Sequence, residues 1–185
     1  MKIKRAISPF WALALMWVAA HIVEAKVAAP KTVLDYFLLL PARGRFATET
    51  PKNQRRAWLR EKSSDLKPVV DIKNDYILAP GDGAQGTIQF ALFRYKGRVL
   101  VVMRDDFEDG TLDFLRYENG RWKDVTKQMM PVPYNVHYDY HVPRWGTTIK
   151  VTAGRDYFED VKPSPNKGKK VYDLVWDKGK FKVKR

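Results

Sequence analysis

Asn135, His137, Asp139 and His141 stand at alternate positions between Val132 and Val142, interleaved with Tyr134, Val136, Tyr138 and Tyr140. In an extended strand the odd-numbered set shares one face, and imidazoles beside a carboxylate are the groups that hold a metal ion or move a proton. Neighbours on one strand face lie about 6.6 Å apart, and His137 to His141 about 13 Å. At most two adjacent members can therefore reach one ion, and the remaining histidine, His21, falls in the N-terminal segment. A third ligand would have to come from another strand, so the plain expectation is a solvated face available for ligand contact. Neither a metal nor another cofactor is expected.

Other motifs lose their chemistry on inspection. Gly81-Asp82-Gly83-Ala84-Gln85-Gly86 spells GxGxxG, but it precedes a strand pattern instead of joining strand to helix, which the dinucleotide motif requires. Those glycines fit a tight turn, with Asp82 placed to line a pocket at a sheet end. Asp105, Asp106, Glu108 and Asp109 crowd one loop without calcium-loop spacing, and Arg104 stands beside them to relieve the repulsion. The chain has no cysteine and no Gly-x-Ser-x-Gly elbow, and Ser63, Ser64 and Ser164 lie in a charged helix end and a proline loop. Acyl-enzyme chemistry is not expected.

Charge is the stronger signal. Lys and Arg number 34 against 21 Asp and Glu, a formal net charge of +13. The excess is concentrated: residues 43–67 hold eight Lys/Arg and three acids, and residues 162–185 hold nine and two. Arg55, Arg56 and Arg60 form one basic cluster, and Lys180, Lys182, Lys184 and Arg185 form another. Guanidinium and ammonium groups so grouped bind phosphates and carboxylates and steer anionic partners. The alternation Lys180-Phe181-Lys182-Val183-Lys184 also describes an edge strand whose lysines discourage aggregation.

The elements that must carry these groups follow a simple order. Lys2, Lys4 and Arg5, an apolar run from Phe10 to Ala20, and Val23-Glu24-Ala25 make the three parts of an export signal, with cleavage after Ala25. The run is too short to span a bilayer, so no stable membrane span is expected after cleavage. The mature domain, 26–185, opens with a helical part over 32–66. Thr32 caps a first helix that Pro41 stops, with Val33, Phe37 and Leu40 on its buried face. Thr50-Pro51 opens a second helix ending before Pro68, its apolar stripe starting at Trp58 and Leu59, and Lys52, Arg55, Arg56 and Arg60 on its exposed side.

From Val69 the pattern is β. Lys96-Gly97 and Asn119-Gly120 mark hairpins in a four-stranded meander over 87–126. A second meander over 147–184 is expected from turns at Ala153-Gly154 and Lys178-Gly179, with strands at 147–152, 155–160, 170–177 and 180–184. Leu115, Tyr117, Gly120 and Trp122 align with Leu174, Trp176, Gly179 and Phe181, and Gly97 with Gly154, which points to an internal duplication. The fold class expected is α+β: two N-terminal helices followed by antiparallel sheet in two four-stranded meanders.

The stretches DYFLLLP (35–41), GDGAQG (81–86) and YENGRWKDVT (117–126) resemble motifs of small exported bacterial proteins of uncharacterised function. The resemblance implies bacterial export and a shared architecture and transfers no catalytic residue. The function expected is that of a periplasmic or secreted binding protein, more a non-enzyme than an enzyme. Its basic, aromatic-bearing surface would engage an anionic envelope component or a protein, inhibition of a secreted enzyme being one form of this. Nucleic acid is not an expected partner outside the cytoplasm. The alternative is a metal- or carboxylate-dependent envelope hydrolase, which requires His137, Asp139 or His141 to converge with acids from another strand.

Overall fold

The computed structural model describes residues 29–41, 48, 50–60, 67–80, 86–106, 110–154 and 166–185. The signal segment, Gly81 to Gln85 with Asp82 among them, and the strand expected at 155–160 lie outside the described residues.

Thr32 caps α1 (Val33–Leu38) as its sequence predicts. Its hydroxyl accepts from the Asp35 N–H, and the Asp35 carboxylate accepts from the Thr32 N–H, a reciprocal capping box. These contacts, led by the Thr32 N–H, hold the Asp35 carboxyl below the usual carboxylate range. Val33, Phe37 and Leu40 are fully buried. The second helix is far shorter than expected: α2 covers Arg55–Trp58, entered through a turn in which the Gln54 N–H donates to Pro51 O.

Six antiparallel strands follow in sequential order in one sheet: β1 (Val69–Asp71), β2 (Tyr76–Ala79), β3 (Ile88–Tyr95), β4 (Arg98–Asp105), β5 (Thr111–Glu118) and β6 (Arg121–Asp124). A short helix, α3 (Thr126–Met129), leads to a second sheet of β7 (Tyr138–His141), β8 (Thr148–Ala153), β9 (Lys170–Asp177) and β10 (Lys180–Lys184), ordered β10-β9-β8-β7.

The expected pair of four-stranded meanders is thereby corrected to sheets of six and four, with three short helices among the described residues instead of two N-terminal ones. The extra strands of the first sheet come from a hairpin whose turn is built by Asp71, which accepts from both the N–H and the side-chain amide of Asn74. In the second sheet β8 pairs directly with β9, Thr148 opposite Val175 through Thr152 opposite Lys170. β7 supplies the fourth strand instead. Gly154 is therefore no counterpart of Gly97. Gly97 sits in a two-residue hairpin turn, whereas a Cβ on Gly154 would lie 2.5 Å from Lys167 Cα, where the two ends of the long β8–β9 connection meet. The proposed duplication fails at this point.

The first sheet is covered on both faces. On one, Phe37 and Trp58 of the helical segments pack with Ile77, Phe90, Val101, Met103 and Leu115. On the other, Phe93, Leu100, Val102 and Phe114 meet Tyr140, Ile149, Val151, Leu174 and Phe181 of the second sheet. Phe181 is the pivot of that layer, its ring centroid 5.1 Å from Phe93, 5.2 Å from Phe114 and 5.1 Å from Trp176. Helices, six-stranded sheet and four-stranded sheet make three layers, and no described helix is long and apolar enough to cross a membrane.

Candidate anion-binding face

Layering leaves one sheet face without a cover among the described residues: the outer face of the second sheet. Because opposite residues in an antiparallel ladder share a face, the register builds its surface row by row. Lys184, Asp173, Lys150 and His141 form one row across all four strands. Lys182, Val175 and Thr148 form the next, and Lys180 with Asp177 the next. Beyond the bulge at Val151/Thr152, Lys170, Thr152 and Asp139 form another. The intervening rows, Val183-Leu174-Ile149 and Tyr172-Val151-Tyr140, point into the core.

Five lysines thus stand on one sheet face with only Asp173 and Asp177 among them on the same three strands. Lys170 Nζ is 2.8 Å from Asp173 Oδ2, and Lys182 pairs with Asp177. The Lys182 hydrogen bond, helped by Lys178 and Lys180, holds the Asp177 carboxyl below its ordinary value. Lys150, Lys180 and Lys184 make no ion pair with any described residue. With no carboxylate of a described residue in ion-pair contact, their ammonium groups are available to an external anion.

The residues expected to form a site along 132–142 are separated by the fold. That stretch is not one strand: the Asn135 side chain accepts from the His137 N–H, turning the chain before β7 begins at Tyr138. His137 lies in this turn. His141 lies on the outer face with Nε2 3.0 Å from Thr152 Oγ1. Asp139 Oδ1 accepts from Arg104 Nη2 at 3.2 Å, and the same Arg104 nitrogen lies 2.6 Å from Asp106 Oδ1. Arg104 thereby ties the second sheet to the first and pairs with Asp106 after β4, Glu108 and Asp109 lying outside the described residues. No group of three His, Cys, Asp or Glu that could hold a metal ion occurs among the described residues.

The arginine cluster divides. Arg55, placed by its sequence pattern on the exposed side, is fully buried. Its guanidinium donates to the carbonyls of Leu38, Leu40 and Pro41 after α1 and to that of Thr50. Those donors are committed inside the protein. Arg56 and Arg60 are exposed and flank an apolar recess of about 280 Å³ floored by Leu34, Leu59 and Val70. The exposed aromatic surface is also narrower than expected, because Tyr138, Tyr140, Tyr172, Trp176 and Phe181 all join the inter-sheet core. Among the described large apolar residues left exposed, Trp145 is the aromatic one, stacked by Arg144, which also binds Asp71 at 2.8 Å.

The lysine face was missed as a unit because β7, β8 and β9 contribute to it across a long sequence separation. The one visible signal was the alternation in β10. No family model, curated protein or solved structure matches the chain.

Proposed function

We propose that this is an exported, non-enzymatic binding protein that holds an anionic envelope component or an acidic protein surface against the outer face of the second sheet. The observation that carries the reading is the row of Lys184, Asp173, Lys150 and His141, with Lys180 and Lys182 beside it, on a sheet face that no described residue covers. A flat lysine array attracts over about a Debye length and holds by many weak contacts, so binding should be strongly salt-dependent. Export rests on the N-terminal sequence pattern.

The test is binding of the purified chain from Lys26 onward to a polyglutamate matrix and to anionic envelope polysaccharide, at low and moderate salt. Affinity should fall at least about tenfold between them. The double substitution Lys150→Glu/Lys184→Glu should abolish retention, while Arg56→Glu/Arg60→Glu, which reverses the other exposed basic cluster, should leave most of it. Retention that ignores salt, or that follows the arginines instead of the lysines, sinks this assignment.

A further inference from the structure

Among the described residues the cationic face ends at an edge strand with one neighbour. β10 pairs with β9 alone, through a two-residue turn at Lys178-Gly179 in which both residues have positive φ. In such a hairpin the pair flanking the turn, Asp177 and Lys180, exchanges hydrogen bonds, and bonded and non-bonded pairs then alternate. The N–H and C=O groups of Lys180, Lys182 and Lys184 therefore point to β9, and those of Phe181 and Val183 point out of the sheet. No described residue hydrogen-bonds to these outward groups.

The space beside this edge is shaped. An open recess of about 710 Å³ is lined by the β10 residues Lys180, Phe181, Lys182 and Val183 together with Pro131, Val132 and Arg185. Through the same Pro131 and Val132 it adjoins a mainly apolar cavity of about 650 Å³ that includes Met130, Pro133 and Tyr134. Pro131 and Pro133 have no N–H, so this neighbouring segment cannot donate at those positions to satisfy the edge.

We infer that β10 accepts an extended peptide segment of alternating acidic and apolar residues as a fifth strand of the second sheet. Strand addition supplies main-chain hydrogen bonds, and alternate side chains supply specificity. On the outer side the acidic residues meet Lys180, Lys182 and Lys184; on the inner side the apolar residues enter the recess lined by Pro131 and Val132. The same lysines repel a second copy of β10, so the edge selects an acidic strand over its own kind. The inference rests on the lysine-face reading for its side chains and on the open backbone edge for its pairing.

Two capped nine-residue peptides test it, one alternating Glu and Val, the other of identical composition with its glutamates in one block. Binding is followed by fluorescence anisotropy and by amide hydrogen exchange of the full mature chain. The alternating peptide should bind about tenfold tighter, the worth of one or two hydrogen bonds, and should slow exchange at the Phe181 and Val183 amides, which no described carbonyl pairs. Val183→Pro, which removes an outward N–H while leaving the hairpin bonds in place, should cancel that preference. Equal binding of both peptides with no added protection at those two amides overturns strand addition while leaving the lysine face standing. Failure of both peptides and of polyglutamate to bind overturns both readings.

Discussion

Arg55 and Arg56 are neighbours with opposite roles. Arg55 has no exposed surface and ties the carbonyls that α1 leaves unpaired to the entry of α2, so its positive charge is spent on backbone dipoles at a helix C-terminus. Arg56 is exposed and contributes only a long-range pull on Asp35. Arg55→Met, which keeps the chain's bulk and removes the donors, should therefore cost about 3 kcal/mol, because the Leu38 and Leu40 carbonyls lose the guanidinium and those of Pro41 and Thr50 are left to Thr48. Arg56→Met should stay within about 0.5 kcal/mol. Urea unfolding checks both, with the midpoint moving at constant slope for Arg55→Met. Helical spacing alone could not separate the two, since it assumed a helix running unbroken from Thr50, and the short α2 turns Arg55 inward.

Elements closed by local turn chemistry were readable from sequence. Asn119-Gly120 and Lys178-Gly179 set their hairpins, and Gly179 is further required because a Cβ there would stand 3.0 Å from the Tyr95 ring. The capping box of α1 was equally local. The β1–β2 hairpin escaped because β1 has three residues and its Asp71 turn resembles an ordinary polar loop. In β7 the alternation hid a turn that Asn135 makes, and this strand's contribution depends on tertiary packing: Tyr140 is buried with its hydroxyl accepting from the Asn135 N–H and 3.4 Å from that of Tyr172. Burial, then the Tyr140 hydroxyl, raises the Tyr172 phenol well above its ordinary value of 10.0. The folded state thus keeps this proton where the unfolded chain loses it. Stability is unaffected below about pH 10 and falls as pH rises above it. Tyr172→Phe should lose roughly 1 kcal/mol at neutral pH and show a shallower alkaline decline, part of which remains because burial also raises Tyr36 and Tyr76. Denaturant midpoints at pH 7, 9 and 11 give the comparison.

At the scale of the molecule, the six-stranded sheet has two buried faces and the four-stranded sheet one, so the second sheet depends on the first more than the reverse. Its lysine face contributes little to folding, and five lysines against Asp173 and Asp177 leave a net positive charge whose repulsion the inter-sheet layer must offset. Phe181 bears most on this balance, since it belongs to the open edge strand and its ring touches Phe93 and Phe114 of the first sheet. Phe181→Ala should cost about 3–5 kcal/mol, and Leu115→Ala, on the helix-covered face, about 2–5 kcal/mol. If the layers form one cooperative unit, each variant unfolds in a single transition, with far-UV and near-UV circular dichroism coincident. If the second sheet can detach, Phe181→Ala instead splits the curve, its first step losing the environment of Trp176 while the first sheet stays folded. The coincident outcome is the expected one, because Arg104 to Asp139 and Arg144 to Asp71 join the sheets at points away from Phe181. An acidic strand added at β10 would then raise the midpoint of the whole molecule, not of one sheet.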